Sequence, residues 1–152
     1  MIVVTGGSRT QRKFAKSIAE FCVAKLMPKM INLDIEIVIK SFGKDSNYGY
    51  CCPNDFGECP REFEIEVNKA MRLRRLLETI AHEMVHVKQF AKGELYESTR
   101  LGKHRWQGQW IDNDPEYWDR PWEIEAHGRE CGLFVRWAES QGLGHKKWTK
   151  DQ

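Results

Sequence analysis

The segment Ala81-His82-Glu83-Met84-Val85-His86 contains the residues with the clearest potential for chemistry. On an α-helix, side chains at positions i and i+4 lie one turn apart on the same face, so His82 and His86 could bind a single metal ion. Imidazole nitrogen is a preferred ligand of zinc. Glu83, beside the first histidine, could take the proton of a metal-bound water without being a ligand itself. The segment therefore predicts a helical zinc site with Glu83 as the general base.

Two histidines leave the zinc site incomplete, because a catalytic zinc has three protein ligands and an open fourth position. The chain after His86 lacks the glycine and the third histidine of the metzincin pattern. The later segment Pro121-Trp122-Glu123-Ile124-Glu125-Ala126-His127 offers better candidates. If this segment is helical, Glu123 and His127 share a face while Glu125 points elsewhere. We expect the third ligand to come from this segment.

At these two motifs the sequence resembles the gluzincin metallopeptidases, in particular their compact, single-domain members. In that clan the HExxH helix is followed by a later helix that carries a glutamate ligand. Several branches write the second motif as Glu-x-x-Ala followed by Asp or Asn, and Glu123-Ile124-Glu125-Ala126 matches it. The resemblance implies that Glu123 is the third zinc ligand. His127 stands where the family often has an acidic or amide residue that supports the ligands.

The continuation His86-Val87-Lys88-Gln89 and the run Pro-Trp-Glu-x-Glu-Ala are also similar to small SprT-like and phage-encoded metallopeptidases. SprT-like proteins usually supply a third histidine instead of a glutamate. In this chain that histidine would be one of His104, His127 and His145. The resemblance covers about residues 60 to 135.

Both resemblances imply the hydrolysis of peptide bonds at zinc. Zinc lowers the pKa of its bound water to about 7 and polarises the scissile carbonyl, while Glu83 moves the proton to the leaving amine. A further donor should stabilise the oxyanion, and the candidates are His104, Tyr96, Tyr117 and His127. We therefore expect a zinc-dependent metallopeptidase that acts on a peptide or protein substrate.

Two other functions are compatible with the motifs. One is an SprT-like protease that acts on DNA-bound proteins and would need a surface for nucleic acid. The other is a non-catalytic protein in which zinc stabilises the fold or a binding surface. The net charge of +2, from 24 Lys+Arg and 22 Asp+Glu, neither requires nor excludes a nucleic-acid partner. We interpret two basic clusters as a solvated face (Arg72, Arg74 and Arg75) and a solvated tail (Lys146, Lys147 and Lys150).

The hydrophobic pattern predicts the elements that must position these residues. The predicted helices cover about residues 11–26, 71–91 and 121–142, and the predicted strands cover about residues 33–40 and 62–67. The chain before the first helix is interpreted as a turn into that helix, which Ser8 or Thr10 caps, because it lacks the later glycine of a dinucleotide-binding loop. We expect Gly93 to end the second helix and Pro121 to begin the last one.

The segments between these elements are richer in turns. Gly43–Gly57 is predicted to be a long loop whose two flanking strands could pair as a hairpin. Trp106–Trp110 could be a short strand pair or an extended loop, and the tail beyond Gly144 is expected to be frayed. The resemblance implies that the strand Phe63–Val67 lies at the sheet edge, where an extended substrate could add as a further strand.

These elements predict one α+β domain over residues 1–152 with a zincin-like fold. In this fold a small mixed sheet packs against the active-site helix and a second helix that carries the remaining ligand. A length of 152 residues and a composition of 41% hydrophobic and 30% charged residues fit a single globular domain. The sequence has neither an apolar run of about 18 residues nor a secretory signal, so we expect a cytoplasmic chain with no membrane partner.

The cysteines and tryptophans have less specific interpretations. Five cysteines are an odd number, and a reduced compartment is expected for them. We interpret Cys51, Cys52 and Cys59 as reduced thiols instead of a second zinc site, and Cys22 and Cys131 as core residues. A cluster of tryptophans is interpreted as packing residues, although it could also be a stacking platform for single-stranded nucleic acid. It consists of Trp106, Trp110, Trp118 and Trp122.

Overall fold

The computed structural model describes residues 1–44 and 48–150 of the chain. Four strands form the larger sheet: β1 (Ile2–Gly6), β2 (Asp34–Lys40), β3 (Gly49–Pro53) and β4 (Glu62–Asn68). They lie in the order β1-β2-β4-β3, in which β1, β2 and β4 are parallel and β3 pairs antiparallel with β4. Alternate side chains of β2 and β4 are buried, as their alternating sequences require. The sheet therefore offers one apolar face to the helices.

The three α-helices of the described residues are α1 (Arg9–Leu26), α2 (Leu73–Ala91) and α3 (Pro121–Ser140). The sheet contacts α1 and α2, and α3 packs against α2. The central helix is α2, which contacts α1 and α3 as well as β3 and β4. Sixteen of its nineteen residues are buried, among them polar residues that need a hydrogen-bond partner or a ligand in place of water. This burial fixes the position of the helix that carries the two motif histidines.

A second, smaller sheet follows α2 and contains β5 (Leu95–Ser98), β6 (Lys103–Trp106) and β7 (Gln109–Ile111). All neighbouring strands in it are antiparallel. The turn between β6 and β7 consists of Gln107 and Gly108, with φ of 49° and 82°, which suits a two-residue hairpin. A short 3-10 turn, Tyr117–Asp119, then leads the chain into α3. Trp106–Trp110 is thus a strand pair, one of its two predicted forms.

The helix boundaries confirm the signals read from the sequence. Ser8 caps α1: its hydroxyl accepts a hydrogen bond from the backbone N–H of Gln11 at 3.1 Å, and the Gln11 side chain accepts one from the Ser8 N–H at 2.8 Å. Pro121 occupies the first turn of α3. Gly93 follows the end of α2 with a φ of +72°, a conformation that side chains with a Cβ rarely adopt.

The predicted hairpin and the predicted edge strand are both wrong. β2 and β4 run parallel, because part of the turn-rich stretch forms β3 and reverses the chain between them. Since β3 pairs with the outer side of β4, the segment Phe63–Val67 lies inside the sheet and β3 forms its edge. Residues 45–47 of the turn-rich stretch lie outside the described residues.

The C-terminal segment is packed instead of frayed as far as residue 150. The ring of Trp148 lies 5.4 Å from that of Phe14 on α1, and Thr149 is buried. The Thr149 hydroxyl donates to the backbone oxygen of Lys146 at 2.6 Å, which closes a 3-10 turn. Residues 151 and 152 lie outside the described residues.

Two interpretations of single residue types also need correction. Cys22 is buried in the core, but Cys131 is exposed, because it faces outward on α3. Trp122 is buried, whereas Trp110 and Trp118 are 44% and 71% exposed, so packing does not account for all the tryptophans. None of the helices in the described part of the chain is long and apolar enough to cross a membrane.

Candidate metal centre

Three buried side chains from two helices converge at one point. Nε2 of His82 and Nε2 of His86, both on α2, lie 3.2 Å apart. On α3, Oε1 of Glu123 lies 2.7 Å from Nε2 of His86, and Oε2 lies 3.5 Å from Nε2 of His82. These three side chains could hold a metal ion. The structure thus brings together the ligand set His82, His86 and Glu123 that the sequence predicts.

The nitrogen and oxygen atoms at this point are better satisfied by a cation than by hydrogen bonds to one another. Oε2 of Glu123 is buried and has no hydrogen-bond partner among the described residues, and buried carboxylate oxygens are costly in that state. The two Nε2 atoms face each other, although two imidazoles can share at most one proton between these atoms. A divalent cation would bind all three groups at once, and two nitrogens with one carboxylate form a common zinc ligand set.

Hydrogen bonds on the far side of each imidazole direct its Nε2 atom toward this point. Nδ1 of His82 lies 2.8 Å from Oε2 of Glu130, and Nδ1 of His86 lies 2.8 Å from Oε1 of Gln89. Gln89 is itself oriented, because its amide nitrogen donates to the backbone oxygen of Trp122 at 2.9 Å. Both Nδ1 atoms therefore act as donors, which leaves Nε2 as the atom that binds a metal.

The charges at the centre favour a cation. Burial lowers the pKa of His82, but the carboxylates of Glu123 and Glu130 outweigh this and raise it to about 9. The pKa of His86 is also raised, because Glu123 and Glu83 oppose the effect of its burial. The pKa of Glu123 lies well below its usual range, because the two imidazoles outweigh its burial. The carboxylates around the two imidazoles thus favour positive charge at this point.

Glu83 lies at the same centre and lines a cleft of about 370 Å³ with His82 and His86. Burial raises the pKa of Glu83, and the negative charges of Glu123 and Glu130 raise it further. The two imidazoles lower it, but by less. A raised pKa suits a carboxylate that accepts and then releases a proton. The cleft is bounded by β3 on one side and by β5 and α3 on the others; its lining includes Gly49, Tyr50, Cys51, Leu95, Glu97 and Glu123.

Of the four candidates for an oxyanion donor, Tyr117 and His127 contact the predicted ligands Glu123 and His82. The Tyr117 hydroxyl lies 2.9 Å from Nε2 of His127, and the centre of the His127 ring lies 4.4 Å from that of His82, with the two rings tilted by 59°. Burial and the nearby Glu123 raise the pKa of Tyr117, so its hydroxyl stays protonated. His127 Nδ1 lies 3.4 Å from Glu130, which places the whole group on one hydrogen-bonded network.

The other two candidates are engaged elsewhere. His104 lines the cleft, but its Nδ1 lies 2.7 Å from Oδ2 of Asp114 and its ring stacks on Trp122. Tyr96 packs against Trp110 and beneath the guanidinium of Arg105.

The alternative ligands of the sequence analysis do not join His82 and His86. Glu125 points away from them and accepts hydrogen bonds from Lys88 at 2.7 Å and from Gln89 at 2.9 Å. His145 is exposed near the end of the chain. His127 belongs to a second set that could hold a metal ion, together with His82 and Glu130. That set is less buried, and Nε2 of His127 already faces Tyr117.

Glu130 and Gln89, which form hydrogen bonds with the Nδ1 atoms of the two histidines, were not predicted from the sequence. Both could have been found from helical spacing. Glu130 follows Glu123 and His127 at i+7 and i+3 on α3, and Gln89 follows His86 at i+3 on α2. Without a partner on the facing helix, however, these positions are as typical of solvated polar residues.

The cysteines near the cleft form no disulfide bond. All five cysteines are free. Cys51 lines the cleft, and burial raises the pKa of its thiol, with a further contribution from Glu83. Cys52 and Cys59 are exposed, and no metal site that could be assembled from the described residues includes any of the three.

Comparison of the chain with known protein families, with curated proteins and with solved structures finds no match. The likeness to gluzincins and SprT-like proteins therefore rests on the two sequence motifs. The structure adds a mixed α+β fold and a buried group that could hold a metal ion.

Proposed function

We propose that this protein is a zinc-dependent metallopeptidase. The observation that carries the proposal is the convergence of His82, His86 and Glu123 beside Glu83 at the floor of an open cleft. Three protein ligands and one solvent-facing side are typical of catalytic zinc, whereas structural zinc is usually enclosed by four protein ligands. A carboxylate that is adjacent to the ligands but not one of them supplies the general base.

Each residue of the centre has a distinct task in this proposal. Zinc, held by His82, His86 and Glu123, would supply the Lewis acid that makes water nucleophilic at neutral pH. Glu83 accepts the proton of the attacking water and delivers it to the leaving amine. The Tyr117 hydroxyl rotates from His127 to donate to the oxyanion, a contribution on the order of 3 kcal/mol.

The substrate is an extended peptide in this proposal. β3 is the terminal strand of the larger sheet and borders the cleft at Gly49, Tyr50 and Cys51. An extended peptide that pairs with a strand edge presents successive backbone carbonyls along it. The resemblance implies a sheet edge at Phe63–Val67, but the edge strand is β3. A peptide that pairs with β3 in this proposal would lie next to Glu83.

Replacement of Glu83 by Gln tests this function. Gln keeps the size of the side chain but accepts no proton, so we expect the hydrolysis of an unfolded protein such as casein to fall by at least about 10³-fold. The zinc content should remain one equivalent, because Glu83 is not a ligand. Glu97→Gln is the matched control, since Glu97 also lines the cleft but is exposed. Equal activity of Glu83→Gln and wild type would refute the role of Glu83 as the general base, whereas a zinc-loaded wild type without hydrolysis would favour a non-catalytic zinc protein.

A further inference from the structure

The positive charge of the chain is concentrated in three short segments. Residues 9–17, 69–75 and 140–150 contain 11 of the 24 lysines and arginines and none of the 22 acidic residues. The other 125 residues carry 13 basic and all 22 acidic residues, so they are negative as a group. The near-neutral total therefore conceals two regions of opposite charge.

Side-chain contacts join the three segments into one surface. The Gln11 amide donates to the backbone oxygen of Lys69 at 3.2 Å, which links the first segment to the second. The Arg74 guanidinium donates to the backbone oxygen of Thr149 at 2.6 Å, which links the second to the third. The rings of Phe14 and Trp148 lie 5.4 Å apart and link the third back to the first. The basic clusters at residues 72–75 and 146–150 are thus neighbours in the folded chain.

We call this surface the basic face and define it by the exposed cations of the three segments. On α1, three of them recur at i, i+4 and i+7 and therefore share one side of the helix. The exposed cations of the face are Arg9, Lys13, Lys16, Lys69, Arg72, Lys146, Lys147 and Lys150. Of the cations in the three segments, Arg74 and Arg75 form ion pairs with carboxylates. Within residues 1–44 and 48–150, the eight exposed cations form no such ion pair.

The chemistry of the basic face fits the phosphate backbone of duplex DNA. Eight exposed cations spread over three segments match a partner with many spaced negative charges, and exceed what one small anion can engage. The N-terminal ends of α1 and α2 lie at the same face and add to its positive potential. Among the described residues, the three segments contain no large apolar side chain that is exposed. This disfavours insertion of the face into a lipid surface.

The same residues indicate binding that does not depend on base sequence. The one tryptophan of the face, Trp148, is half-buried against Phe14 and Phe134 and offers no open ring for stacking on bases. Flexible lysines make most of the face, and lysines contact phosphates without reading base edges. We infer that the basic face binds duplex DNA through its phosphates. The inference does not depend on peptide hydrolysis, since it uses none of the residues of the metal centre.

Fluorescence anisotropy with a labelled duplex DNA of about 20 base pairs tests the inference on the full-length protein. We expect the logarithm of the association constant to fall with the logarithm of the KCl concentration with a slope of about −4 or steeper. Two unrelated duplex sequences should bind within about threefold of each other. The Glu83→Gln variant should bind as wild type does, so loss of hydrolysis and loss of DNA binding are separable.

Two double variants locate the binding on the basic face. Lys146→Gln with Lys147→Gln should lower the affinity at least about tenfold and reduce the slope by about 2, and Lys13→Gln with Lys16→Gln should act similarly. Lys29→Gln with Lys92→Gln is the matched control. It removes the same charge beyond the C-terminal ends of α1 and α2, and it should leave affinity within about twofold.

Three results would overturn the inference. The first is no binding to the duplex at about 50 mM KCl, or binding that salt does not weaken. The second is an equal loss in the control variant, which would indicate a response to net charge alone. The third is binding to vesicles that contain phosphatidylserine without binding to the duplex, which would assign the face to a membrane surface. Circular dichroism of each variant confirms that the fold is retained.

Discussion

Oε2 of Glu130 lies 2.8 Å from Nδ1 of His82, although 48 positions separate the two residues in the sequence. The contact joins α2 to α3 at the level of the metal centre. It fixes which nitrogen of His82 carries the proton and which faces Glu123. Glu130 also lies 3.4 Å from Nδ1 of His127 and 3.7 Å from the guanidinium of Arg75. One carboxylate thus aligns a ligand and the side chains around it.

Glu130→Gln should weaken zinc binding by about 10- to 100-fold, because an amide aligns the His82 imidazole less strongly than a carboxylate does. Competition with a chelator measures the affinity. The matched control is Glu139→Gln, which removes an exposed carboxylate from the same helix, where it pairs with Arg136. An unchanged affinity in Glu130→Gln would show that the orientation of His82 does not limit metal binding.

Glu123→Ala should abolish stoichiometric zinc binding, while Glu125→Ala should retain it. Glu123 faces both imidazoles, whereas Glu125 binds Lys88 and Gln89 on the outer side of the same helix turn. Metal analysis of the purified variants measures the bound zinc. If the Glu125 variant alone lost its metal, the ligand assignment would be wrong.

Zinc should bind more tightly as the pH rises toward about 9. The neighbouring carboxylates hold the pKa of His82 near 9 in the metal-free protein, above the ordinary value of 6.5, despite its burial. A metal ion binds only the unprotonated imidazole, so below about pH 9 it must displace this proton. The affinity therefore drops by at least about tenfold per pH unit, since the pKa of His86 is raised as well. Titrations between pH 6.5 and 9 check this slope, and an affinity independent of pH would contradict it.

The proton on His82 also stabilises the metal-free fold. Since the folded pKa exceeds the unfolded one, this stabilisation is complete below about pH 6.5 and is lost as the pH rises through 9. The increase in melting temperature on adding zinc should therefore grow over the same interval.

Tyr117→Phe should lower kcat of peptide hydrolysis about 100-fold with little change in KM, because the hydroxyl is needed only when the oxyanion forms. The prediction rests on the proposed peptidase activity. Tyr96→Phe is the control, since its ring packs against Trp110 in the smaller sheet. A rise in KM with unchanged kcat would instead assign Tyr117 to substrate binding.

Trp148→Ala should lower the free energy of unfolding by about 2 to 3 kcal/mol. The ring is half-buried against Phe14 and Phe134, and its loss opens a space between α1 and α3. Trp118→Ala, at a ring that is 71% exposed, should change stability by about 0.5 kcal/mol or less. Denaturant unfolding compares the two, and equal effects would mean that the C-terminal segment does not contribute to the core.

Local features of this protein were predictable from the sequence alone. Helical spacing located α1, α2 and α3, and the HExxH pattern placed His82 and His86 on one face of a helix. Ser8 was one of the two candidates for the cap of α1, and Gly93 was expected to end α2. These features depend on residues within one or two helical turns of each other, so the local sequence is enough to predict them.

The tertiary structure decided whatever depends on distant segments. It set β2 and β4 parallel and moved the sheet edge to β3, because hydrophobic alternation specifies a buried face but not the direction of the partner strand. It brought Glu130 to His82 and the tail at Thr149 to Arg74 through contacts across 48 and 75 positions. Which polar side chains meet is determined by how the helices pack together, and for that reason the support of the metal centre and the basic face emerge only in the folded chain.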